Sequence, residues 1–301
     1  MRIYLKTILL SGEKVSDVNR QTEEAWDLII EPKRSLFDLR LKELYGYRDL
    51  IGLLIRRDFV AAYKQTVIGP FWFLVQPLMM TLVYMFVFGN IAKLGTDGIP
   101  QPLFYFSGTI LWNFFAHSLT QSANTFNANA QLFGKIYFPR LAVPISYAAT
   151  GLITVGVQFV VLLLFYFYYL FTGYAFHPNW WLLAVPLLIF QLGALGVGLG
   201  IIISSLTTKY RDLKQFLTFG LQLWMYATPI IYPMSKVPQK WLWVYQINPI
   251  APVIEMFRYA FLGGDNFPLG SWLISLGFSA AVLFLGVAFF NKNERTFIDV
   301  I

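Results

Sequence analysis

YRDLIGLLIRRDFVAAYKQTVIGPFWFLVQP, residues 47–77, decides how the rest of the chain reads. The stretch begins charged and amphipathic, ends apolar, and breaks at Gly69-Pro70. A basic segment that meets an apolar run through a Gly-Pro break reads as a membrane-surface helix turning into a spanning one. On that reading it couples events in the cytoplasm to movement of the spans behind it. A surface anchor that only fixes orientation is the competing reading.

Composition supports the membrane. The 301 residues are 57% hydrophobic and 13% charged, where a soluble domain carries about 25% charged residues. Six apolar stretches follow the break, at 71–91, 103–126, 141–171, 180–206, 213–232 and 272–290. All exceed the roughly 18 residues that mark a spanning helix. Those at 141–171 and 180–206 are long enough to predict tilt, kinks or extension beyond the lipid. No secretory signal opens the chain, so the N-terminus is expected to stay in the cytoplasm.

Charge distribution orients the spans. With both termini inside, Lys and Arg concentrate on the cytoplasmic side, in residues 1–70, at Lys135 and Arg140, at Lys209, Arg211 and Lys214, and at Lys292 and Arg295. Only Lys93, Lys236, Lys240 and Arg258 fall outside. That is a strong positive-inside bias. The net charge of +7 therefore reflects topology rather than nucleic-acid binding. The expected organisation is a cytoplasmic segment at 1–70, a six-helix transmembrane region at 71–290 and a tail at 291–301. Within the first segment, 26–32 reads as extended before Pro32, and a helix is expected to begin near Ser35.

Residues 235–270 form the longest external piece. They are aromatic rather than polar, and Pro238 and Asn248-Pro249 interrupt them. Two short amphipathic or re-entrant helices fit this pattern, as does an interfacial aromatic belt.

Several chemistries are excluded or weakened. With no cysteine there is no thiolate nucleophile, thiolate metal site or disulfide. His117 and His177 lack ligand spacing, so no metal is expected. The only Gly-Lys pair, Gly134-Lys135, lacks the Ser or Thr of a phosphate loop, so the chain is not itself a P-loop ATPase. No carboxylate stands inside a span, which argues against a proton relay. Asp58 and Asp212 sit at the expected inner edge beside Arg57 and Arg211, positions that suit local ion pairs or helix caps.

A polar stripe remains. Asn113, His117, Thr120 and Asn124, followed by Asn127 and Gln131, recur at spacings of three and four and share one helical face. The stretch at 213–232 has a weaker version in Gln215, Gln222 and Tyr226. Such a face either lines a hydrophilic conduit or makes interhelical hydrogen bonds. Neutral amides together with abundant aromatics suit sugars better than ions. Arg56, Arg57, Lys64, Lys135 and Arg140 could bind a lipid pyrophosphate, or simply anionic lipid. Gly196, Gly200 and Ser204, at steps of four, read as a helix-packing face.

Four motifs occur in order: residues 47–77, FGKIYFPRLAVP at 133–144, YRDLKQF at 210–216, and TPIIYP at 228–233 with INP at 247–249. Together they resemble the membrane subunit of type-2 ABC exporters, in the branch of O-antigen polysaccharide export permeases, kin to capsule and teichoic-acid permeases. The likeness runs from about residue 31 to 290. It implies an all-α polytopic fold with six transmembrane helices, an N-terminal amphipathic interface helix and two short periplasmic gate helices. It also implies a homodimer in the bacterial cytoplasmic membrane, working with two copies of a cytoplasmic ATPase that binds the ATP and Mg. No cofactor belongs to this chain. The implied cargo is a polysaccharide on undecaprenyl diphosphate.

By the same resemblance Arg57, Asp58, Lys64, Gly134, Lys135 and Arg140 would contact the ATPase. Arg56, Arg57 and Lys64 would admit the pyrophosphate lipid. Asn113, His117, Thr120, Asn124, Gln222 and Tyr226 would line the channel. Tyr232, Trp241, Trp243 and Tyr245 would form the periplasmic gate. One six-helix subunit is too small to enclose a glycan, and a C2 dimer is the commonest symmetric solution. A membrane enzyme acting on lipid-linked sugars and an ion-coupled carrier are the competing functions.

Overall fold

The computed structural model describes residues 41–135, 138–207, 210, 212–263 and 267–298. The extended piece expected at 26–32, the helix start expected near Ser35, Lys209, Arg211 and the last three residues of the tail lie outside the described residues. Among those described, all regular structure is helical.

Two helices precede the first span: α1 (Leu41–Gly46) and α2 (Arg48–Tyr63). α2 lies along the later helix α7 and buries Leu54, while Arg56, Arg57 and Lys64 stay exposed. The chain then turns through Gln65 and Gly69, both at positive φ (67° and 62°). Glycine adopts that geometry freely, whereas it is uncommon for glutamine. The break anticipated at Gly69-Pro70 is therefore a double turn that starts at Gln65.

The first span is composite: a 3₁₀ turn (Gly69–Phe71), α3 (Trp72–Tyr84) and a π-helical turn (Met85–Ile91). Pro77 stands inside α3, and its missing N–H leaves the Phe73 carbonyl without its helical donor. Gln158 of α7 supplies one, Nε2 donating to Phe73 O at 2.9 Å.

α4 (Gln101–Ala123) is the centre of the molecule. Leu103, Phe104, Phe106, Phe115 and Leu119 are fully buried on it. It packs against α7 (Ala142–Phe171) and α8 (Val185–Thr207), and α8 packs in turn against α12 (Leu269–Ile298). The small residues of α8 explain the close crossing. A Cβ on Gly196 would lie 2.9 Å from Phe115 O, and one on Gly200 would lie 2.7 Å from Leu119 O. Ser204 Oγ accepts from Phe126 N at 3.4 Å. The stripe at steps of four is thus a packing face, as its spacing predicts. Two short helices, α5 (Thr125–Ala128) and α6 (Ala130–Lys135), continue from α4.

Four helical stretches among the described residues are long and apolar enough to cross a membrane: Gly69–Ile91, Ala142–Phe171, Trp180–Thr207 and Leu269–Asn291. The other two expected spans differ. α4 has 23 residues but carries the polar stripe. α9 (Leu213–Tyr226) has 14 residues, about 21 Å of helix against a hydrocarbon layer of about 30 Å. It stops at Tyr226, not at Tyr232. The chain continues as buried turns through Thr228, Pro229, Ile230 and Ile231.

The two short helices expected in 235–270 are present as α10 (Leu242–Ile247) and α11 (Ala251–Leu262). They are unlike each other. α11 is buried along most of its length, whereas α10 buries no residue.

Candidate functional site

The polar stripe occupies a definite place. From Leu103 to Ala123, α4 is buried except at Asn113, Ala116, His117, Thr120 and Gln121. Those five positions fall at helical spacing and form one half-exposed face. Asn124, at the end of the helix, extends it, and its Nδ2 donates to Thr120 O at 2.9 Å. His117 lies partly against α7, where a Cβ on Gly151 would come within 3.2 Å of its ring. The amide face therefore looks out of the subunit, while the opposite face of the same helix forms the core.

α9 adds Gln222 and Tyr226, both exposed. Leu217, Leu221, Trp224 and Met225 of α9 pack against the core, with Leu213 half-buried on the same narrow stripe at i, i+4 spacing. Trp224 anchors the helix, its ring 5.3 Å from Phe115 and 6.4 Å from Trp112.

At the Ala123 end of α4, several residues expected to transmit force come together. Arg57 Nε donates to Asp58 Oδ1 at 2.7 Å, so Asp58 makes the local ion pair expected of it. Arg57 also reaches Asn129 Oδ1 at 3.5 Å, and Asn129 Nδ2 donates to the Tyr147 hydroxyl at 2.9 Å. This chain of bonds joins α2, the turn between α5 and α6, and α7. Gly134 and Lys135 end α6 exposed. Arg140 is buried, its guanidinium 5.2 Å above the Phe133 ring, so it braces this loop from within. Arg56 and Lys64 remain exposed.

Further along α4, beside Phe115, Trp112 and Gly108, the motifs TPIIYP and INP meet. Asn248 uses its whole amide. Oδ1 accepts from Trp224 Nε1 at 3.1 Å and from Ile250 N at 3.0 Å. Nδ2 donates to Thr228 Oγ1 at 2.8 Å and to Ala227 O at 3.3 Å. The Tyr245 hydroxyl meets that of Tyr232, which donates to Tyr226 O at 2.7 Å. Tyr232 and Tyr245 are thus brought together, whereas Trp241 and Trp243 stand exposed on the same short stretch.

Sequence spacing did not single out Arg258. Counted there among the external charges, it is buried in α11 and paired with Glu255 at 3.1 Å. The absence of a carboxylate within the six stretches stands, but the piece between the last two holds this one. Burial pushes the Glu255 carboxyl up, against the pull of Arg258. The available signal was an ionisable pair at i, i+3 in the otherwise apolar run APVIEMFRYAFL. Among the described residues no cluster of His, Asp and Glu could hold a metal ion.

Residues 49–262 match the family model described as ABC-2 type transporter. An O-antigen export system permease protein RfbA from Klebsiella pneumoniae is 32% identical over 267 residues, covering 87% of this chain and 99% of the relative. A Myxococcus xanthus protein of the same name is 25% identical, covering 87% and 98%. The polysialic acid transport protein KpsM of Escherichia coli is 24% identical over 246 residues, covering 81% and 93%. The matched region takes in both ends of α4 and the helices that frame its polar face, and the chain belongs to the ABC-2 type transporter family.

Proposed function

We propose that this chain is the channel-forming permease subunit of an ATP-driven exporter. It carries a polysaccharide of O-antigen type, linked to undecaprenyl diphosphate, out across the bacterial cytoplasmic membrane. The observation that carries this reading is the likeness to O-antigen export permeases along nearly their whole length. The half-exposed amide face of α4 supports it, because amides facing out of a single subunit need water, cargo or a partner helix.

The working unit is a homodimer with two copies of a cytoplasmic ATPase, and six segments of each subunit cross the membrane with both termini inside. Asn113, His117, Thr120, Asn124, Gln222 and Tyr226 line the path between two copies. Arg56, Arg57 and Lys64 meet the lipid pyrophosphate. The network from Arg57 and Asp58 to Asn129, with exposed Gly134 and Lys135 beside it, receives force from the ATPase. Tyr232 and Tyr245, with Trp241 and Trp243, close the outer end. The chain performs no chemistry of its own, and ATP and Mg belong to the partner. A capsule-type glycan is the second reading, favoured by the likeness to a polysialic acid transport protein.

Removing the chain from its host tests the proposal. Lipid-linked glycan is expected to accumulate, chemically unchanged, on the inner face of the membrane, and the reintroduced chain should relieve the block. A glycan that arrives outside in normal amount but with altered structure would make the chain an enzyme instead.

A further inference from the structure

Arg258 is 3% exposed, and its guanidinium touches four oxygens on three pieces of chain. Nη1 donates to Pro229 O at 2.7 Å and to Glu255 Oε1 at 3.1 Å. Nη2 donates to Ile230 O at 3.1 Å and to Phe104 O at 3.2 Å. Cζ lies 3.6 Å from the centroid of the Phe104 ring. Nε has no partner among the described residues. Gly108, one turn along α4 from Phe104, makes room for the fork: a Cβ there would lie 2.9 Å from Nη2.

The identity of the acceptors matters. Pro229 and Ile230 lie in the buried turn after α9, where the backbone has left helical geometry and its carbonyls have no donor four residues on. Non-helical backbone at membrane depth persists only where protein groups satisfy it. Asn248 serves Ala227 in that turn, and Arg258 serves Pro229 and Ile230.

We propose that Arg258 is a positioning residue for export. Its guanidinium fork holds the 227–231 turn and α11 against the start of α4, and so fixes where the exposed end of α9 stops beside the path. The carbonyl fork is the working part, and the pairing with Glu255 is secondary. Three of the four bonds go to backbone carbonyls, while Glu255 receives one and keeps an acceptor if changed to Gln. Lysine cannot replace arginine here. A compact ammonium with three donors cannot lie flat on Phe104 and reach carbonyls on two chain segments at once.

The chain has no cysteine, so a single reporter is clean. Ile231, 1% exposed, becomes Ile231→Cys, and its reaction with a membrane-impermeant maleimide is timed in membranes. Arg258→Lys is expected to raise the labelling rate about tenfold or more, as charge-assisted bonds to the turn are lost, and to lower export. Glu255→Gln should shift both clearly less than Arg258→Lys does, since the counter-charge is lost but the acceptor and the three carbonyl bonds remain. Gly108→Ala, which crowds Nη2 while keeping every charge, should give an intermediate rate. It also serves if the lysine variant fails to accumulate. Labelling of Arg258→Lys at the parent rate would overturn the proposal, as would Glu255→Gln labelling as fast as Arg258→Lys. The export readout rests on the function proposed above, whereas labelling does not. Loss of export in every variant and in the unmodified chain would refute that function and leave the labelling rates to judge the fork.

Discussion

At the scale of single residues, the molecule separates amides spent inside the subunit from amides on its half-exposed face. Asn248 is spent, with two bonds accepted and two donated, all within the subunit. Asn248→Ala should lower the stability of the purified protein by about 2–4 kcal/mol, because Trp224 Nε1 loses its acceptor and Thr228 its donor in a dry setting. Thermal unfolding in detergent reads that loss. Asn113 lies on the half-exposed face of α4, and its substitution should behave differently. Asn113→Leu should leave stability and membrane insertion within error and reduce export several-fold, measured as glycan reaching the outer face. Equal loss of stability in the two variants would return the stripe to a packing role. Asn113, His117, Thr120 and Asn124 were legible from their spacing alone, because a polar residue at every third or fourth position of an apolar helix has one geometric meaning. Arg258 was not legible in the same way. A charge between two prolonged apolar stretches reads as a loop charge, and its role depends on carbonyls at Phe104 and Pro229 that are distant in sequence.

At the scale of elements, the first span shows how a helix breaker is accommodated. Pro77 deprives Phe73 O of its donor, and Gln158 from α7 replaces it at 2.9 Å. Gln158→Leu should therefore destabilise the protein. In the Pro77→Ala background the same change should be nearly neutral, since alanine at that position restores the helical N–H. Paired thermal unfolding measurements give the coupling directly, and additive losses would show that the two residues act apart. Helix α9 illustrates what sequence leaves open. Apolar character from 213 to 232 predicts one continuous span, yet the helix ends at Tyr226. Thr228-Pro229 weakens helix locally, but where the freed carbonyls find partners is settled by Asn248 and Arg258, far along the chain. The packing of α8 on α4 was easier to read, because Gly196, Gly200 and Ser204 admit a close crossing whatever the partner is.

At the scale of the whole molecule, the subunit looks incomplete on one side. α9 buries no residue, and Phe216, Phe219 and Leu223 stand exposed on it. In the proposed dimer this face meets the second copy, so Leu223→Cys in the cysteine-free chain should cross-link to twice the subunit mass in native membranes. A chain that stays at subunit mass under oxidation, with its thiol still reactive, would argue against that face. The central claim is that the chain is a passage without a motor, driven from the basic end by a separate ATPase. Its most direct test is reconstitution into vesicles with fluorescent diphosphate-linked glycan, with and without the cognate ATPase and ATP. Transfer of glycan across the bilayer is predicted only when chain, ATPase and ATP are all present; equal transfer by the chain alone, or under an ion gradient without ATP, would contradict it.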